Sequence, residues 1–265
     1  MVCDAVGRVI QTLPDGRRIK GITSLENHLY VLRANRTEQI EVYDVHSYYR
    51  LERRMTVPRL GDYDAVDIVA CSHNRCAYVS DHSHNSVHRV TLYMPDAAVI
   101  HWPVDDKPAS LSLTYTHGVL VSCWQVRRIK EFSTDGQILH VLYLPDVVTP
   151  VRTVQLSSGQ FIACTPGDPS LCVCLIGTDG SVVKSFVEAE GSGGQRMYMP
   201  DDMAVDRNGF VFVVDYNRRV LLLSPQLKYV RDVLPFSCSP QRVHLDSDRG
   251  RLYVAGGGCV MAVGV

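Results

Sequence analysis

No run of apolar residues in this 265-residue sequence approaches the ~20 that a membrane-spanning helix needs. No segment of useful length repeats its apolar residues at the helical period. Net charge is almost missing as well. The 27 Lys+Arg stand against 28 Asp+Glu, a formal charge of -1. That balance argues against a generic nucleic-acid binder, which is usually strongly basic. A disordered chain is excluded, because 46% of the residues are hydrophobic and such chains carry too little apolar surface to form a core. The first residues, MVCDAVGRVI, lack the basic segment and apolar stretch of a secretory signal.

The nine cysteines are an odd number. Most lie inside apolar runs: Cys123 in VLVSCW, Cys164 in FIAC, Cys172 and Cys174 in LCVCL. A free cysteine behaves as a small buried hydrophobe, so the expectation is reduced core thiols in a cytoplasmic protein. Cys71 and Cys76 flank a short turn, SHNR, which sets them to face each other across a hairpin. Reduced thiols are the expectation there too, with a disulfide as the alternative. Cys172-Val173-Cys174 has no second Cys/His pair at zinc spacing.

What the sequence does have is a repeat. One short apolar unit recurs as Tyr30-Val31-Leu32, Tyr78-Val79-Ser80, Leu120-Val121-Ser122, Phe161-Ile162-Ala163, Phe212-Val213-Val214 and Tyr253-Val254-Ala255. The central residues are about 41 to about 51 positions apart, with a mean of about 45, so six units consume the chain. Residues 200–235 show the internal grammar best. A short strand, Met203-Ala204-Val205, meets the turn Asp206-Arg207-Asn208-Gly209, and Asn-Gly is a strong hairpin signal. A second strand (Phe210 to Val214), a polar turn (Asp215 to Arg219), a third strand (Val220 to Leu223) and a fourth (Tyr229 to Leu234) follow. Four short antiparallel strands of this kind make one propeller blade.

The sequence therefore predicts an all-β, six-bladed β-propeller of four-stranded antiparallel blades, at about 20–57, 64–104, 108–145, 150–188, 200–235 and 239–265. The sixth unit stops after its third strand. Residues 8–13, RVIQTL, read as a strand that pairs beside the last one and closes the ring, removing two exposed edges.

The run MPDDMAVDRNGFVFVVDYNRRVLLL resembles an NHL repeat, whose pattern is Pro, an apolar strand, Asp-x-x-Gly, aromatic-Val-x-Asp, then Asn-Arg-Val. Residues 67–90 repeat it in part, with Asp81 at the position of Asp215 but neither Asp nor Gly in the first turn. The linker EGSGGQRMYMP is similar to the family's glycine-rich lead-in. The other four blades are degenerate. A Trp-Asp signature is absent, which disfavours a WD-repeat propeller. The resemblance implies a domain like the C-terminal propeller of TRIM-NHL ubiquitin ligases, recruiting protein partners or binding RNA. It is also similar to lactonase-like and lyase propellers, so fold alone leaves the function open. The chain has no RING or B-box zinc pattern and no coiled coil.

Loops that join one blade to the next share a face with the loop between each blade's second and third strands. On that face the sequence places Arg33, Arg36, Arg59, His82, His84, Arg127, Arg128, Arg218 and Arg219 as candidate partner-binding residues. Acids in the same loops make the patch mixed. Aligning the starts of the inner strands gives one position per blade: Gly21, Asp67, Ser110, Arg152, Asp202 and Arg242. The charged members, Asp67, Arg152, Asp202 and Arg242, are expected at one mouth of the channel as ion pairs, since charges drawn into a channel need partners. The arginines beside the acids would repel a cation such as calcium.

His73, His82, His84 and His88 match no standard zinc spacing. There is no G-x-S-x-G elbow and no HExxH. The expectation is thus a monomeric, cytoplasmic recognition module for a protein or single-stranded RNA, with no DNA or membrane partner, no metal, no cofactor and no catalytic residue. The alternative is a channel-mouth hydrolase or lyase of the lactonase-like type.

Overall fold

The computed structural model describes residues 8–12, 18–33, 40–57, 60, 65–93, 99–166, 172–186, 197, 199–235 and 239–265. They form 24 strands and no helix. The strands make six four-stranded antiparallel sheets arranged in a ring: a six-bladed β-propeller. The inner strands are Ile19–Leu25, Ala65–Cys71, Ser110–Leu113, Arg152–Gln155, Asp202–Val205 and Arg242–Asp246. No helix among the described residues is long and apolar enough to cross a membrane.

Local sequence explains the blades. Their second strands are buried throughout in blades two to five, for example Cys76–Asp81 and Val211–Asp215, because each is flanked by two strands and faced by two blades. Turns do the rest. The Asp206–Gly209 turn forms as expected, with the Gly209 N–H donating to Asp206 O at 3.1 Å. Only Gly209 takes a positive φ, 83°. Asn208 does not, because the Asp206 carboxylate already accepts the N–H groups of Asn208 and Phe210, at 2.9 and 2.7 Å. The aspartates after the second strands are turn formers too. Asp81 accepts from the N–H groups of Ser83 and His84, and Asp215 from that of Asn217.

The cores lie between blades, not on the axis. Leu25, Tyr30 and Val42 of the first blade pack on Ile68, Val79 and Val90 of the second. Five similar clusters fill the other interfaces. The axis is thereby left to polar side chains, which set the functional question.

The ring closes as the sequence predicts. Arg8–Thr12 runs antiparallel to Cys259–Gly264, with Arg8 opposite Ala262 and Thr12 opposite Cys259. This strand hides a hydrogen-bonding edge that would otherwise pair with other chains. Deleting residues 1–12 is expected to lower the urea unfolding midpoint and to give concentration-dependent aggregates in sizing chromatography. An unchanged midpoint with a monodisperse product would show that the strand does not hold the ring.

Candidate active site

Each inner strand starts at the end of the ring where blades are joined, here the upper end, and finishes at the lower end. At the upper end the aligned strand starts include the charged residues Asp67, Arg152, Asp202 and Arg242. Arg152 reaches across the axis to two other blades. Its Nη1 donates to Asp67 Oδ2, and its Nε lies 3.3 Å from Asp202 Oδ1 in a charge contact without hydrogen-bond geometry. Both carboxylates also tie strands together. Asp67 Oδ2 accepts the Leu111 N–H at 2.8 Å, and Asp202 Oδ2 accepts the Val243 N–H at 2.9 Å. Arg242 donates from Nε to Lys20 O at 2.5 Å and sits 3.6 Å from Asp201. Gly21 has no side chain because a Cβ there would lie 2.8 Å from Ile68 N.

Burial works against charge on Arg152, but Asp67 and Asp202 outweigh it and hold its pKa above the ordinary value. A guanidinium therefore sits where two carboxylates converge, and this pair does not fit a divalent cation. Among the described residues no group of three or more His, Cys, Asp or Glu is arranged to hold a metal ion.

The lower end has different chemistry. Two residues below Arg242, His244 lines a cavity of about 360 Å³ together with Ser24, Glu26, Asp246 and Arg249, within the usual size range of small-molecule sites. Ser24 belongs to the first blade and His244 to the sixth. The Ser24 backbone N–H donates to His244 Nε2 at 3.0 Å, and Ser24 Oγ lies 2.9 Å from the same nitrogen. A backbone N–H can only donate, so Nε2 is the acceptor and the neutral ring carries its proton on Nδ1. Ser24 Oγ is also 3.2 Å from Asp246 Oδ2. Its one proton thus faces two acceptors, a base and a carboxylate. Arg249 holds that carboxylate through its backbone N–H at 3.1 Å and Nη1 at 3.2 Å. Burial lowers the His244 pKa to about 4, outweighing the pull of Asp246, so the ring is neutral at physiological pH. Behind it the Tyr253 ring is stacked, 6.3 Å between centroids. A neutral, oriented imidazole beside a hydroxyl is the minimum set for general-base chemistry.

The predicted partner-binding residues scatter. Arg33 is a correction: it is buried, not on the surface, because Glu41 draws its Nε to 2.5 Å. Arg219 is committed to Asp215 at 3.0 Å, and Arg128 lies 4.9 Å above the Tyr143 ring. Arg127 and Arg218 are exposed, Arg127 with Asp146 at 3.3 Å. Arg36 and Arg59 lie outside the described residues. His84 contacts Asp81 at 2.9 Å, beside His88 at 3.5 Å from the same carboxylate oxygen. His82 stands outside the cavity that His84, His88 and His101 share. His73, at the lower end, stacks on His117 at 4.3 Å.

Ser24 and His244 were not in the predicted set. A residue-spacing motif cannot join positions 220 apart. One signal did exist. Two residues on from the aligned channel positions stand Thr23, Val69, Ser112, Val154, Ala204 and His244, and histidine alone of these residue types ordinarily titrates near neutrality.

No protein-family model matches the sequence, and no curated protein does. Solved structures do match. Virginiamycin B lyase from Staphylococcus aureus superposes with a TM-score of 0.70 at 9% identity, covering 99% of this chain and 100% of that one. A catalytically inactive histidine-to-alanine variant of that lyase, with quinupristin, gives 0.69 at 10% identity, covering 99% and 100%. XC5397 from Xanthomonas campestris, a gluconolactonase, gives 0.72 at 12% identity, covering 98% and 90%. The fold is that of the lyase and lactonase propellers. At these identities the likeness is one of fold, and it does not carry the NHL resemblance. The lyase and gluconolactonase neighbours count against the expected recognition module and favour its enzyme alternative.

The upper ring makes a direct prediction. Arg152→Met leaves Asp67 and Asp202 buried without their cation, and is expected to cost about 3–5 kcal/mol in urea unfolding. Adding Asp67→Asn and Asp202→Asn to that variant is expected to recover much of the loss. A single variant as stable as wild type would refute the ion-pair account.

Proposed function

We propose that the chain is a propeller enzyme that cleaves a small ester or lactone at the lower mouth of its channel, with Ser24 as nucleophile and His244 as general base. The observation that carries this reading is the Ser24–His244 contact inside a cavity of about 360 Å³. The gluconolactonase and lyase folds of the neighbours support it at the level of class.

In this mechanism His244 Nε2 gives up the hydrogen bond from the Ser24 backbone N–H and takes the Ser24 hydroxyl proton as Oγ attacks the carbonyl carbon. The π electrons move to the carbonyl oxygen, giving a tetrahedral intermediate. Its collapse expels the alkoxide, which takes the proton back from His244. Water, deprotonated by the same nitrogen, then releases the acyl group from Ser24. Asp246 and Arg249 position the serine. Asp246 touches Ser24 instead of His244 Nδ1, so the order of contacts is unlike that of a Ser-His-Asp relay.

A second reading has one observation in its favour: the Ser24 backbone N–H already fixes the Nε2 lone pair. In a lyase His244 would use that lone pair to remove a proton from substrate carbon, and Ser24 would only orient it. The S. aureus lyase variant inactivated by loss of a histidine fits this pattern.

A panel of five- and six-membered lactones and of nitrophenyl esters tests the proposal. Turnover is expected in wild type, with kcat/KM down about 10²–10⁴-fold in His244→Asn and in Ser24→Ala. Arg127→Glu is expected to change nothing. Activity lost in His244→Asn but kept in Ser24→Ala selects the lyase reading. No turnover, or a fully active His244→Asn, overturns both.

The pH behaviour follows from the lowered pKa of about 4 against an ordinary 6.5. Activity should hold from pH 8 to pH ~5 and fall below that as the imidazole protonates. Stability has the same sign. Between these two pKa values the unfolded state binds the proton and the folded state does not, so stability is lost as pH falls from 6.5 towards 4. His244→Asn should flatten that slope, which urea titrations at several pH values would measure.

A further inference from the structure

We propose that Cys71 and Cys76 form a reversible intramolecular disulfide, a redox modification site at the lower end of the second blade. The site is independent of what the neighbouring cavity cleaves.

Geometry comes first. Cys71 closes the inner strand Ala65–Cys71 and Cys76 opens the second strand Cys76–Asp81. They are direct partners in the antiparallel register. Opposed residues of such a pair have Cα atoms about 4.5–5.5 Å apart, inside the range of about 4.4–6.8 Å that disulfides span. Both are free thiols, and both are buried. The two thiols interact, Cys76 acting as the largest influence on the acidity of Cys71.

The two sulfurs are also unequal. Cys71 Sγ accepts from Cys76 and from Asn74 Nδ2, the latter at 3.4 Å. The Cys76 contact first, and the bonds from Asn74 after it, outweigh burial and bring the Cys71 thiol down to about 5, while the same contact and burial push Cys76 up. The contrast with other buried cysteines is sharp. Burial raises Cys123 to about 12 and lifts Cys164 well above its ordinary value. An attacking thiolate next to a resolving thiol is the arrangement of redox-sensing pairs. The connecting residues Ser72, His73 and Arg75 are exposed, so the pair lies just beneath the surface.

With hydrogen peroxide as oxidant the balance is simple. The Cys71 thiolate attacks one peroxide oxygen; an S–O bond forms, the O–O bond breaks and hydroxide leaves. The Cys76 sulfur then attacks the Cys71 sulfenic sulfur; S–S forms and S–O breaks. The second hydroxide takes the Cys76 proton and the first takes one from solvent. Two thiols and one peroxide give one disulfide and two waters. A small-molecule dithiol reverses the step. Ala70 and Ser72, the neighbours of Cys71 in the chain, line the Ser24–His244 cavity, so the crosslink would stiffen one of its walls.

The test is a peptide map. Reduced protein is treated with a few equivalents of hydrogen peroxide, quenched with N-ethylmaleimide and cut with trypsin without reductant. Cleavage after Arg75 separates the two cysteines. The expected product is peptide Leu60–Arg75 linked to Cys76–Arg89, formed at least tenfold faster than Cys123 or Cys164 oxidises and abolished by dithiothreitol. In Cys76→Ser, dimedone is expected to trap a sulfenic acid on Cys71. A linked pair that never forms in folded protein, or Cys71 oxidising no faster than Cys123, would overturn the proposal.

Discussion

One guanidinium organises the axis of this molecule. Apolar packing fills the six seams between blades and leaves the channel to polar groups. Arg152 then neutralises carboxylates from two other blades, while those carboxylates accept backbone N–H groups from their neighbours. Removing either kind of partner would strand charge in a region of low dielectric, where it is costly. The upper mouth is thus committed to holding the ring together. That commitment takes its acids out of service as cation ligands, and it moves the search for chemistry to the other end.

At the lower mouth the constraint is reversed. His244 is enclosed enough to stay neutral but open to a cavity, and its Nε2 lone pair is held in place by the Ser24 backbone N–H. Ring closure brings this about. Ser24 and His244 meet because the first and sixth blades are neighbours, and they are neighbours because Arg8–Thr12 completes the last sheet. Fold stability and site geometry therefore share the same seam.

The fold was legible because its signals are local. Each blade announces itself by a short apolar strand and a turn residue within about ten positions of the next, and the unpaired edge of the last sheet called for a strand from the other terminus. Aligning the inner strands put acids and arginines at one mouth of the channel; that a single guanidinium, Arg152, lies between Asp67 and Asp202 is read from the structure. What failed was the step from position to role. Arg33 stands at a strand end and reads as a loop cation, yet Glu41 on the paired strand draws it inside. The aspartates that give the NHL-like motif its character, Asp81 and Asp215, turn out to shape turns, and a turn former says nothing of a ligand. Ser24, Asp246 and His244 carry no mutual spacing signal, because their proximity exists only in the closed ring. The same holds for the asymmetry of Cys71 and Cys76. Their opposition across a hairpin is visible in the sequence, but the mutual contact that separates their acidities, helped by the bond from Asn74, is not.

The central claim is that His244 activates Ser24. Labelling with a fluorophosphonate, which reacts with serines whose hydroxyl is deprotonated by an adjacent base, tests it without knowledge of the substrate. The account predicts a phosphonyl adduct on Ser24, found by peptide mass mapping, that disappears in His244→Asn while the unfolding midpoint stays near that of wild type. A wild-type protein that takes up no label at Ser24, or a His244→Asn variant labelled as fast as wild type, would contradict it.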